Sequence, residues 1–189
     1  MDLHLLLGTI ASGFARTIKS LVEYVLVTRE GSPAMIGFMS VEAQAEVDFD
    51  RARRRAFYGR VVARWRRECS WLLAFDEVVE WHLAHNRRRL GLRDVEVSKI
   101  VGSVDRTGAF DRGFMPTKAS LAERWKRVDR AFHRGLDLPA VRLYKMGDSY
   151  FVEDGNHRVS VARYQGVETI EANVTEVFPL YGARSGWAA

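Results

Sequence analysis

From Asp94 to Val177 the hydrophobic period of the sequence switches repeatedly, and this constrains the fold more than any other feature. Val95 to Val101 alternates and predicts a strand. A glycine-containing loop follows, carrying Asp105, Arg106, Asp111 and Arg112, and Pro116 closes it. The next stretch takes a helical period. Leu121, Trp125, Val128 and Phe132 fall at i, i+4, i+7 and i+11, and Gly135 stands where a C′ glycine belongs. Residues 138–154 predict a β-hairpin turning at Gly147, Asp148 and Ser149. Residues 156–166 read as a short helix ending at Gly166, and a closing strand follows it. This mixture predicts an α+β domain over residues 94–180.

The chain upstream reads differently. Ser40 resembles an N-cap with Glu42 in the first turn, and it opens a long helix over about residues 41–75. Phe57, Val61, Trp65 and Leu72 share roughly one face of that helix, and Trp65, Trp71 and Trp81 fall at helical spacing that suits a core. Residues 40–92 are thus expected to be a basic helical region. Residues 1–38 read as a loosely attached helix and a Gly-Ser-Pro linker. Arg16, Lys19 and Glu23 break the apolar run there, so no membrane span is predicted. No Lys or Arg supplies a signal-peptide n-region, and Cys69 is the single cysteine of the 189 residues. An internal disulfide is excluded, and a reducing cytoplasm is the expected compartment.

The net charge is +5 and the pI about 9.6. The excess is concentrated between residues 51 and 93, where twelve arginines face only four acids. Arg53, Arg60, Arg64, Arg67, Arg87, Arg88 and Arg89 are the candidate nucleic-acid contacts in this block. A solvated face, with arginine stems lying over apolar surface, is the plainer alternative and ranks slightly ahead. No zinc-finger spacing and no helix-turn-helix pattern accompanies the block.

Asp154-Gly155-Asn156-His157-Arg158 joins a strand to a helix. Gly155 allows a positive φ and a close approach of backbone to ligand. The amides of Asn156, His157 and Arg158 would open the helix without intrahelical acceptors, at the positive end of its dipole. Arg158 can grip phosphate oxygens, His157 can donate or exchange a proton, and Asp154 can hold a metal ion or accept a proton. The competing interpretation is a plain capped turn.

The order of elements, with "VEVSKIV", "LDLPAVRLYKMGDSYFVEDGNHR" and "VSVARYQGVETIEANV" in sequence, resembles the ParB N-terminal/sulfiredoxin-like fold over about residues 94–177. That resemblance implies a small mixed sheet with helices, preceded here by the arginine-rich helical region. ParB-like domains of this superfamily are often labelled nucleases; no paired-carboxylate metal cluster here supports cleavage. Sulfiredoxins carry a reactive cysteine where this chain has Asn156, which argues against that redox chemistry. Partition ParB proteins bind CTP at this turn with Gly-Glu-Arg-Arg; Arg158 fits and His157 departs. The ParB-like serine kinases carry Asp-Gly-His-His-Arg, matched at Asp154, Gly155, His157 and Arg158, and draw a base from the loop after the first strand, where Asp105 and Asp111 lie.

The resemblance and the turn together imply CTP or ATP with Mg2+. Gly155, Asn156, His157, Arg158 and Arg106 would bind it, and Asp154 would be the metal ligand. A nucleotide-binding regulatory module with DNA, a second copy or another protein as partner ranks first. A phosphotransferase or NTP hydrolase using Asp154, His157 and Asp105 ranks second, and a non-catalytic interaction domain third.

Overall fold

The structure is a computed structural model, and it describes residues 39–75, 86–105 and 108–178. Among these residues three α-helices lie against a six-stranded mixed sheet, so the chain is an α+β protein. The helices are α1 (Val41–Arg66), α2 (Ala122–His133) and α3 (Asn156–Gln165). The strands are β1 (Leu73–Ala74), β2 (Asn86–Glu96), β3 (Ile100–Ser103), β4 (Val141–Met146), β5 (Ser149–Asp154) and β6 (Thr169–Phe178). Their order across the sheet is β1-β3-β5-β4-β6-β2. β4 and β5 form the expected antiparallel hairpin around Gly147, whose φ is 57°. The β3–β5 and β4–β6 neighbours are parallel, because α2 and α3 cross between strands.

Side-chain alternation gives the sheet two apolar faces. Val95, Ile100, Val141, Leu143, Val152, Ala172 and Val174 form the core beneath the helices. Phe75, Tyr144, Met146, Phe151 and Val177 cluster on the other side. Trp125 of α2 sits at the centre of the helical layer. Its ring lies 5.6 Å from Phe49 of α1 and 5.6 Å from Tyr164 of α3, and its Nε1 donates to Ser160 Oγ at 2.8 Å. An indole is buried fully only when its N–H finds an acceptor, and Ser160 supplies one.

Several expectations need correction. The helix expected to reach residue 75 ends at Arg66; Arg67 turns away with φ 57° and β1 follows. Its buried face is Ala45, Asp48, Phe49, Ala52 and Ala56, while Phe57, Val61 and Trp65 are 56%, 45% and 65% exposed. Small residues let α1 approach α2 closely, and the large side chains of its second half extend beyond that contact. Trp71 is likewise exposed, and Trp81 lies outside the described residues. On α2, Phe132 faces solvent and the buried positions are Trp125, Lys126 and Asp129.

A further correction concerns Arg87, Arg88, Arg89 and Arg93. They lie on a strand, not a helix: β2 pairs antiparallel with β6 from Asn86↔Phe178 to Glu96↔Thr169. The expected strand over Val95 to Val101 is in fact the end of β2, a 3-10 turn over Val97–Lys99 and the start of β3. Among the described residues no helix is long and apolar enough to cross a membrane. Residues 1–38 lie outside the description.

Candidate functional site

β5 ends at Asp154 and α3 begins at Asn156, so one residue must reverse the chain. Gly155 does so with φ 107° and ψ 21°, and its carbonyl accepts the first bond of the helix from Val159 N at 3.0 Å. A Cβ on Gly155 would stand 2.6 Å from Val141 Cγ1. Glycine is therefore required by its torsion and by the packing of β4, before any ligand is considered. A glycine N-cap also supplies no side-chain acceptor to the first turn of α3.

Arg158 is largely committed within the protein. Its Nη1 donates to the carbonyls of Pro139 and of Ala140, the latter at 3.0 Å, and its Nη2 donates to Asp154 Oδ2 at 2.8 Å. The guanidinium thus ties the approach to β4 to the end of β5. The His157 ring stands edge-on to Phe110, with centroids 5.3 Å apart. Asn156 Oδ1 is buried and accepts no hydrogen bond among the described residues.

These groups line one cleft of about 340 Å3. Its walls carry Asp105, Glu153, Asp154, Arg124, His157 and Arg158, with Phe110, Leu121, Val128 and Leu138 beneath them. Of the residues expected at the site, Asp105, Asp154, Gly155, Asn156, His157 and Arg158 come together here. Arg106 lies outside the described residues. Asp111 is elsewhere: it is buried, and its Oδ1 accepts from Met115 N at 2.8 Å. Burial pushes its carboxyl above the usual range, against the backbone amides of Met115 and Gly113.

Arg124 and Glu153 are additions to the expected set. Arg124 and Val128 stand at i and i+4 on α2, with Leu121 as its N-cap residue, so the helical period that predicts this helix also aligns Arg124 with cleft-lining residues. Glu153 accepts from Tyr144 Oη at 3.1 Å and lies 3.4 Å from Arg142 Nε. Three carboxylates and two guanidinium groups therefore surround the cleft. A lone polyanion would add to a negative excess, and a divalent cation carried with it would offset part of that addition.

The arginines read as a nucleic-acid footprint fall into two groups. Arg53, Arg60, Arg64 and Arg67 belong to α1 and its end. Arg53 lies over the Phe49 ring at 6.0 Å, and Arg60 Nε reaches Ala56 O at 3.4 Å, so both stems cover their own helix. Arg87, Arg88 and Arg89 are exposed on β2, the edge strand, with Arg87 5.7 Å over the Tyr144 ring on the sheet face away from the helices.

The crystal structure of sulfiredoxin from Arabidopsis thaliana is similar to this chain, with a TM-score of 0.32 and 20% identity over 44% of this chain and 82% of that one. No family model and no curated protein matches the chain. A likeness of that size carries nothing about chemistry.

Proposed function

We propose that the chain is a regulatory module that binds a nucleoside triphosphate, CTP or ATP with Mg2+, with the phosphates at the N-terminus of α3. One observation carries this: a helix start that no side chain caps opens into a cleft lined by Arg124 and Arg158. Amides of such a turn point outward at the positive end of the helix dipole, where phosphate oxygens are favoured. Arg124 stands exposed on α2 and can close over them, while Arg158 holds the turn in shape. Asn156 Oδ1 needs a donor, which a sugar hydroxyl, a base amine or a metal-bound water provides.

The carboxylates of Asp154 and Asp105 suit a Mg2+ ion, which would supply charge neutralisation for the polyphosphate. Asp154 Oδ2 already accepts from Arg158, so its other oxygen is the one available to a cation. The volume sits at the low end of ligand pockets, roughly 300–1,000 Å3. It suits the phosphates and sugar, with the base reaching the rim. The separate basic surfaces on α1 and β2 would serve a DNA or protein partner. A phosphotransferase is the second reading, favoured by Asp105 lining the same cleft as the helix start; turnover abolished in Asp105→Asn would select it.

Calorimetric titration with CTP and ATP, with and without Mg2+, tests the proposal. Arg124→Ala should weaken binding at least about tenfold, or roughly 1.4 kcal/mol. Arg127→Ala, an equal charge change at an exposed position of the same helix, should stay within about twofold. Equal losses in both variants would reduce the effect to general electrostatics, and no binding by the wild type would end the proposal.

A further inference from the structure

At the far ends of α2 and α3 from the cleft, a second group of side chains converges between the three helices. Asp48 comes from α1, and Asp129 and His133 come from α2 at i and i+4. The potential ligand atoms of these three all lie within 4.8 Å of one another. Both carboxylates aim their Oδ2 atoms at one nitrogen: His133 Nε2 is 3.1 Å from Asp48 Oδ2 and 3.4 Å from Asp129 Oδ2. Two ligands on one ion at metal bonds of about 2.1 Å stand about 3.0–3.4 Å apart, for octahedral or tetrahedral angles.

The outer oxygens are held separately. Tyr164 Oη donates to Asp48 Oδ1 at 2.9 Å, and Gln165 Nε2 donates to Asp129 Oδ1 at 2.8 Å. Outer partners of this kind fix which oxygen of a carboxylate faces an ion. Gln44 Nε2 also donates to Asp48 Oδ2 at 3.0 Å, which leaves that oxygen a further lone pair.

Two observations show that the group is incomplete as a purely internal network. Asp129 is fully buried, yet its Oδ2, aimed into the group, accepts no hydrogen bond among the described residues. Neither carboxylate is paired with a Lys or Arg among the described residues, so even a protonated imidazole leaves one negative charge over in a buried place. A dication with a neutral imidazole brings the sum to zero. The side chain of His133 is a quarter exposed and marks the way in from solvent.

We propose that Asp48, Asp129 and His133 bind one divalent transition-metal ion of the zinc class between α1, α2 and α3. Two carboxylates and an imidazole suit Zn2+ or Mn2+, whereas Mg2+ prefers oxygen ligands alone. The site is independent of the nucleotide cleft. Bound there, the ion would clamp α1 to the domain.

The test uses the full chain without a histidine tag, stripped with EDTA and titrated with ZnCl2, MnCl2 and MgCl2 by calorimetry and thermal denaturation. The expected result is one Zn2+ per chain, a raised Tm, and Mg2+ weaker by about 100-fold or more. Asp129→Asn keeps the shape of the buried side chain, and His133→Gln changes a partly exposed one. Each should weaken Zn2+ by at least about 30-fold while keeping a cooperative transition in EDTA. Absence of Zn2+ uptake by the wild type would overturn the site and leave a shared proton as the balance of charge. Uptake that persists unchanged in both variants would also overturn it, by moving the ion to other ligands.

Discussion

Gly155 shows how one residue can meet two separate demands of the fold. Its left-handed torsion starts α3, and its missing Cβ admits Val141 of β4. The sequence made a glycine here legible as a turn before a helix; it could not reveal Val141, which is adjacent only in space. The comparison with Gly147 separates the two demands. Gly147 also has a positive φ, but a Cβ there meets nothing within 4 Å. Gly147→Ala should cost about 1 kcal/mol in urea unfolding, and Gly155→Ala at least about 2 kcal/mol more. Equal costs would mean that the contact with Val141 carries no weight. Arg158 is the other residue whose role the geometry alters. Its type and place suggest a phosphate clamp, yet the contacts to Pro139, Ala140 and Asp154 make it first a brace of the turn.

Among the elements, those after Asp94 were largely readable, whereas before it only the start of α1 at Val41 was. The β4–β5 hairpin is marked by its turn at Gly147, α2 by the helical period of Trp125 and Val128, and the ends of α2 and α3 by Gly135 and Gly166. β2 escapes that logic. From Arg87 to Arg89 it is an exposed edge strand held by backbone bonds to β6, so no apolar alternation marks it. α1 misleads in a different way. Its core stripe is built from alanines around Phe49, and its large apolar residues lie beyond the contact with α2. Phe49→Ala should therefore cost about 3 kcal/mol or more by opening a cavity beside Trp125, whereas Trp65→Ala should stay within about 0.5 kcal/mol. Denaturant midpoints for the two variants decide it, and the reverse order would put the buried face where the periodicity suggested.

At the scale of the whole molecule, polar side chains gather in two places, the cleft and the group between the three helices. The cleft was partly legible, since Asp154 to Arg158 are consecutive in sequence; Arg124 comes from a helix some thirty residues earlier and needs the fold to join them. The Asp48, Asp129 and His133 group depends on α1 meeting α2, and only the i, i+4 spacing of Asp129 and His133 hinted at it. The arginine block, one run by composition, is split between α1 and the edge strand β2. Phosphate binding at the start of α3 remains the central claim, and amide chemical shifts read it most directly. Titrating 15N-labelled full-length protein with CTP or ATP and Mg2+ should shift the amides of Asn156, His157 and Arg158 first and most, saturably, along with those around Arg124. Shifts confined to the arginines of α1 and β2, with the start of α3 unmoved, would contradict it.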